Sequence, residues 1–238
     1  MKIQLLGTGG AFSDHETCYL VNDSVLIDCG PSAIKRTFAD GRAAAIKDVF
    51  LTHIHMDHIG GIEALLYYRL YVAKTPLDYI YCPGEFVPIA QGMACFRDMN
   101  VKLRLLCIDG LDEIVQTPQG FLGIRPFRVN HARLEAYGFA IRARPDNGRV
   151  VVISGDSDRA ISTPYCEADI AAIFHDVGWD GLPDREDRVH PFEHEVLAAF
   201  PNTRLIGVHS SLDNKSPLFE RAVADRIYGI DTRRPNES

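Results

Sequence analysis

Four residues able to bind a metal fall within six positions, in the segment His53-Ile54-His55-Met56-Asp57-His58. Imidazole and carboxylate together suit zinc, and other first-row divalent ions compete for such donors. The segment follows the apolar run Val49-Phe50-Leu51-Thr52 and precedes Ile59-Gly60-Gly61. Strand side chains alternate between faces, so His53 and His55 can leave a strand end on the same side. Asp57 and His58 come after the chain has turned toward a helix, and can approach the same pocket from another direction. A solvated histidine-rich loop would not stand between a buried strand and an amphipathic helix, where α/β enzymes usually carry their chemistry. The helical His-Glu-x-x-His pattern of metalloproteases is absent.

The surrounding elements follow from the pattern of apolar and turn residues. Lys2 to Leu6 reads as a strand, and Gly7-Thr8-Gly9-Gly10 as a tight loop. That loop fails the dinucleotide fingerprint, because Phe12 stands where the third glycine belongs. Cys18 to Val21 and Val25 to Asp28 form a hairpin around Asn22-Asp23-Ser24. Pro31 opens a helix to about Asp40. Asp48 to Thr52 is a short buried strand, and Asp57 to about Val72 is helical, with apolar residues at Ile59, Ile62, Leu65, Leu66 and Leu70. Leu77 to Cys82 is a strand, followed by a helix from Pro83-Gly84 to roughly Met99. Strands are expected near Leu103 to Ile108, Glu113 to Thr117, Leu122 to Val129 and Tyr137 to Arg144. The last of these turns through Pro145-Asp146-Asn147-Gly148 into Arg149 to Ile153. Ile170 to His175 and Leu205 to Val208 are strands, Pro191 to Phe200 and Ser216 to Tyr228 helices, and the tail from Arg233 is polar. Strands interleaved with helices predict a layered α/β fold. No linker or repeat interrupts them, so residues 1–238 are read as one domain.

Composition narrows the function. Hydrophobic residues at 46% and charged residues at 24% are those of an ordinary globular protein. No apolar run reaches the roughly 20 residues that span a bilayer, and no signal-peptide pattern is seen, so a cytoplasmic protein is expected. The six cysteines form no Cys-x-x-Cys pair and are read as reduced, mostly buried thiols. A net charge of −7 argues against broad nucleic-acid binding. The charge is uneven: Arg125 to Arg149 holds six Arg and two acids, a local +4, whereas Asp156 to Glu195 holds eleven acids and three Arg, a local −8. An acidic block after a strand is what a cation site could produce, although a solvated loop suits most of these acids better.

The His53–His58 segment resembles the signature of the metallo-β-lactamase superfamily, and the resemblance runs along most of the chain. It implies a four-layer αββα sandwich of two mixed sheets with helices outside, and metals at one sheet edge. The family pattern requires three later ligands. Three segments offer them in order: His131 after Phe127-Arg128-Val129-Asn130, Asp156 in Ser154-Gly155-Asp156-Ser157, and His209 in Gly207-Val208-His209-Ser210-Ser211. By resemblance one metal is held by His53, His55 and His131, the other by Asp57, His58 and His209, and Asp156 bridges them. Two zinc ions, or manganese, are implied, with a shared water activated between them. Asp57 is counted among the catalytic groups as well as the ligands.

The start Leu5-Leu6-Gly7-Thr8-Gly9-Gly10-Ala11-Phe12 and the His209 segment are similar to the ribonuclease Z and cyclic-nucleotide phosphodiesterase branch. In that branch a non-ligand histidine near the place of His190 protonates the leaving oxygen; a helix N-terminal residue without chemical weight is the other reading. His194 is the weaker candidate, and His175 and Asp176 are either supporting partners or structural. Arg133, two residues after a proposed ligand, is either a donor to a substrate phosphate or an ordinary surface arginine. His15 is placed near the entrance and is not taken as a ligand. The long basic arm with which ribonuclease Z grips transfer RNA is absent, so transfer RNA is not the expected partner. A small phosphodiester such as a cyclic nucleotide is expected instead, hydrolysed by a homodimer. A thioester or lactone hydrolase on the same site, or a non-hydrolytic regulatory protein, are the alternatives.

Overall fold

The computed structural model describes residues 1–108, 112–144, 148–178, 188–209, 220–221 and 226–234. The chain begins with strands β1 (Lys2–Gly7), β2 (Cys18–Val21) and β3 (Val25–Ile27), helix α1 (Pro31–Ala39) and strand β4 (Asp48–Phe50). Helices α2 (Met56–Ile59) and α3 (Ile62–Tyr67) lead to β5 (Tyr79–Cys82), then α4 (Phe86–Gly92), α5 (Ala94–Asp98) and β6 (Leu103–Leu105). The second half runs through β7 (Glu113–Thr117), β8 (Gly120–Val129), β9 (Ala136–Arg144), β10 (Val150–Ile153) and β11 (Ile170–Asp176). It continues with α6 (Glu193–Ala199), β12 (Leu205–Val208), β13 (Glu220–Arg221) and β14 (Ile227–Gly229).

These strands form two sheets, ordered β14-β1-β2-β3-β4-β5-β6 and β13-β12-β11-β10-β9-β8-β7. Each is antiparallel on one side and parallel on the other: β3 to β6 and β10 to β13 run parallel. Period-two alternation drives the sheets together. On β9, Tyr137, Phe139 and Ile141 enter the core shared with Ile3, Leu5, Tyr19 and Phe50 of the first sheet, while Ala136 and Ala140 face outward. Phe50 stacks on Tyr81 at 4.1 Å and meets Phe139 of the facing sheet edge-on at 5.6 Å. Each such ring, fully removed from water, contributes about 1.5–3 kcal/mol. Outside the first sheet, Leu65, Leu66, Phe86 and Cys95 of the helices close a second core. Outside the other sheet, Val196 of α6 packs with Val150, Val152 and Ile173. The result is the expected αββα sandwich.

Three helix expectations change in detail, and the one from Pro83-Gly84 to Met99 divides at the extended residue Met93 into α4 and α5. The single helix expected from Asp57 is broken at Gly60-Gly61, where the backbone passes so close to α1 that a Cβ on Gly61 would lie 2.6 Å from Ile34. Leu65 and Leu66 point into the core, leaving Tyr71 with Leu70 and Val72 exposed on the wider helical turn that follows. The terminal helix expected over Ser216–Tyr228 is corrected: Glu220–Arg221 pairs with β12, and Ile227–Gly229 pairs with β1. A sheet edge with unpaired backbone groups recruits such segments more strongly than their helical periodicity resists. Residues 216–219 and 222–225 of that segment, and residues 145–147 of the expected turn after β9, lie outside the described residues. The strands flanking that turn pair antiparallel, with Val151 opposite Ile141.

Candidate metal centre

The parallel strands end on one edge of the sandwich, and the candidate donors stand just beyond those ends. His53 follows β4, Asp156 follows β10 and His209 follows β12, while His131 follows the antiparallel strand β8. The structure brings all seven proposed ligands together. His53, His55, His131 and Asp156 form one group, and Asp57, His58, Asp156 and His209 another, with donor atoms within 4.8 Å of one another in each. Asp156 belongs to both groups.

Hydrogen bonds behind the histidines determine which nitrogen faces the pocket. Asp28, at the end of β3, accepts the backbone N–H of Thr52 at 2.8 Å and lies 2.8 Å from His58 Nδ1. The Thr52 hydroxyl lies 2.9 Å from the same carboxylate and 3.0 Å from His53 Nδ1. One assignment satisfies every contact: His53 Nδ1–H donates to Thr52, while Thr52 O–H and His58 Nδ1–H donate to Asp28. Both histidines then turn a lone pair on Nε2 toward the pocket. His131 does likewise, its Nδ1–H donating to the Val189 carbonyl at 3.1 Å. His55 instead presents Nδ1, 2.9 Å from His53 Nε2 and 3.2 Å from His131 Nε2.

This donor set fits divalent cations. Three imidazole nitrogens and a carboxylate converge on one point, an arrangement whose lone pairs repel unless a positive charge lies between them. The buried Nε2 of His58 and Nδ1 of His209 have no hydrogen-bond partner, and an unsatisfied buried polar atom is costly. Burial pushes the pKa of His53, His55 and His131 down, which keeps them neutral and able to ligate. Burial opposes the charge on Asp57 and Asp156, but His58 and His209 outweigh it and hold both well below the usual carboxylate range. At His58 burial is likewise overcome, by Asp156 and Asp28, and the pKa rises, so a metal ion there would displace a proton from Nε2 before that lone pair could ligate.

His190 stands at the edge of this cluster. Its Nδ1 lies 2.8 Å from Asp176 Oδ2, at the end of β11, and its ring centroid is 4.8 Å from that of His209. Burial lowers its pKa, but the Asp176 carboxylate more than compensates and lifts it to about 9. Asp176 is wholly buried and also accepts the backbone N–H of Ser157 at 2.9 Å, one residue after Asp156. His175 points the other way: fully buried, it contacts the Ile161 N–H and the Asp176 carbonyl and joins neither group. His194 is exposed and stacks on Phe192. His15 is exposed, and its carbonyl ties the loop after β1 by accepting from Thr8 and Gly9.

Arg133 is exposed, on a turn where Ala132 and Arg133 both take left-handed backbone angles, φ 46° and 62°. Neighbouring arginines are engaged: Arg125 with Asp112, Arg128 with Glu135, Arg142 over Tyr165, and Arg149 with the Asp231 carbonyl. Arg133 forms no hydrogen bond or ion pair among the described residues. Asp28 and His209 also hold positive φ, at 59° and 62°. Such strained residues collect at functional sites. Asp28 was not among the expected site residues; an acid directly after a buried apolar strand was the signal for it. The loop after β1 touches the centre as well: the His209 N–H donates to the Thr8 carbonyl at 2.8 Å, and a Cβ on Gly10 would sit 2.9 Å from the His209 ring.

Two mixed sheets face to face between helices, with histidines and aspartates gathered at one edge, define a protein of the metallo-β-lactamase fold. The metallo-β-lactamase fold protein YhfI from Bacillus subtilis superposes with a TM-score of 0.75 at 18% identity, covering 95% of this chain and 98% of that one. Human short-form tRNase Z gives 0.72 at 19%, covering 97% and 100%. A family model described as anti-Pycsar protein Apyc1 matches residues 1–204, and the chain belongs to that family. The Apyc1 protein of Paenibacillus sp. (strain J14) is 37% identical over 87 residues, 34% of this chain and about a third, 36%, of that protein's length. The ribonuclease Z of Mycolicibacterium paratuberculosis is 25% identical over 248 residues, 93% of this chain and 82% of that protein.

Proposed function

We propose that this chain is a dinuclear metal phosphodiesterase for small, nucleotide-like phosphodiesters, such as a cyclic nucleotide. The observation that carries the reading is the pair of donor groups sharing Asp156, with the His190–Asp176 pair beside them. His53, His55, His131 and Asp156 would hold one ion, and Asp57, His58, Asp156 and His209 the other, zinc or manganese. Two such ions supply an acidified water and a positive field for charge gathering on phosphorus. His190 carries a proton at neutral pH, and its Nε2–H is available to the leaving oxygen while Nδ1–H stays on Asp176. Asp57, held ionised beside His58 and His209, would act as a ligand and as a hydrogen-bond acceptor that orients the attacking water. Arg133, at the turn after His131, supplies a guanidinium for a non-bridging phosphate oxygen. The relative named ribonuclease Z supports phosphorus as the electrophile, and the acidic chain without a basic arm supports a small substrate over transfer RNA.

A panel of purified protein against a cyclic nucleotide, bis(p-nitrophenyl) phosphate, a thioester and a lactone, with and without chelator, tests this reading. Phosphodiester turnover abolished by chelation and restored by zinc or manganese is the expected result. Turnover of the thioester or lactone alone would keep the site and overturn the substrate class.

A further inference from the structure

The loop between β1 and β2 has a root fastened to the centre and an exposed tip. At the root, Thr8 and Gly9 both donate backbone N–H groups to the His15 carbonyl, at 3.1 and 2.9 Å, and Thr17 donates to Gly9 at 2.7 Å. Glu16 reaches across to the backbone N–H of Ser32 at 2.9 Å, at the start of α1. Thr8 and Gly10 lie against the proposed ligand His209, as described above. The tip is itself closed, because the Gly10 carbonyl accepts from both the backbone N–H and the hydroxyl of Ser13, at 3.0 and 2.8 Å. Ala11 and Phe12 are therefore the two central residues of a tight turn that begins beside His209.

Phe12 is 97% exposed, more than any other large apolar residue described. Single exposed hydrophobics are ordinary on a surface. This one differs in being held on a braced turn whose first residue abuts a proposed metal ligand. Its Cα is two residues from that of Gly10, at most about 7 Å away. The turn carries no lysine or arginine, only Asp14 and His15 beyond Ser13, so it offers a flat apolar face and no grip on phosphate. A nucleotide presents phosphate and an aromatic ring a few ångströms apart, and aromatic side chains bind bases of any sequence through their faces.

We propose that Phe12 is a base-stacking residue of this site, which would thereby accept nucleotides ahead of phosphodiesters lacking a base. The assignment rests on the phosphodiesterase reading above. The test compares kcat/KM for a nucleoside 3′,5′-cyclic monophosphate with that for the base-free methyl riboside 3′,5′-cyclic phosphate, in the wild-type, Phe12→Ala and Phe12→Trp proteins. In the alanine variant the ratio of nucleotide to base-free turnover is expected to fall about tenfold or more, through KM, and tryptophan is expected to restore it. An unchanged ratio in Phe12→Ala would overturn the assignment. So would sedimentation showing that the alanine variant splits a wild-type dimer, which would make Phe12 a subunit contact. Wild-type turnover of neither substrate would overturn the phosphodiesterase reading itself, and the stacking role with it.

Discussion

The two halves of the sandwich supply the candidate centre in different ways. The first sheet delivers four donors from a single strand-to-helix passage, His53 to His58, and braces two of them through one buried carboxylate, Asp28. The second delivers one group per strand end: His131 after β8, Asp156 after β10, Asp176 at the end of β11 and His209 after β12. A local passage sets the spacing of its donors within a few residues of backbone. Donors on separate strands depend on sheet register and on packing between the sheets. The second half should therefore be the more sensitive to single losses, and the first the more sensitive to loss of its shared brace.

The sharpest test is Asp156→Ala, since this carboxylate is the donor common to both groups. Bound metal measured by elemental analysis should fall at both sites, with turnover down about a thousandfold or more. Retention of two tightly held ions would break the picture of a shared ligand. Next is His190→Ala, for which kcat is expected to drop about 10²- to 10⁴-fold with metal content intact. Asp176→Asn should reproduce part of that loss, and metal loss without a matching fall in kcat would make Asp176 a brace for His209 instead. In the first half, Asp28→Ala should weaken metal affinity about 10- to 100-fold, as for other partners of ligating histidines. Titration with a competing chelator reads this directly, and an unchanged affinity would show that the local passage needs no brace.

Two smaller effects test the scaffold apart from its ligands. Burial and the neighbouring Asp78 raise the pKa of Asp48, at the start of β4, from 3.8 to about 6. The folded state thus holds this proton more tightly than the unfolded chain, and stability falls as pH rises between these values. Asp48→Asn should raise Tm at pH 7.5, with the gain vanishing below about pH 4. An equal gain at both pH values would point to packing, not charge. Ala132→Gly should relieve a left-handed residue with φ 46° beside His131 and raise stability by up to about 1 kcal/mol, a few degrees in Tm. A lower Tm would mean the turn is not strained.

The same contrast explains what could be read from sequence. His53 to His58 were legible because four donors in six positions are a dense local signal. His131, Asp156 and His209 are single residues, ordered only by resemblance and by the strands Val150–Ile153 and Leu205–Val208 that precede them. Their meeting point depends on pairings such as Ile173 with Leu205, which no local pattern encodes. Asp28 was hidden because its partners, Thr52 and His58, are 24 and 30 residues away. The layered fold followed from alternating strands and helices. The segment Ser216–Tyr228 misled because its apolar spacing suits a helix, while Ile227–Gly229 pairs along the edge that β1 offers.

That last pairing bears on how the chain folds. Lys2 sits opposite Gly229, and the N-terminal amine donates to the Ile230 carbonyl at 2.9 Å. Strand β1 is thus flanked on one side by a hairpin neighbour made early and on the other by a segment more than two hundred residues later in synthesis. Until β14 arrives, β1 carries a row of unpaired backbone groups, a template for strands of other chains. Closing so long a loop is entropically slow, and contacts of this separation are formed late. Completion of the first sheet therefore waits for a segment more than two hundred residues downstream of β1, and a chain stalled or clipped before residue 227 would expose a ready edge for aggregation.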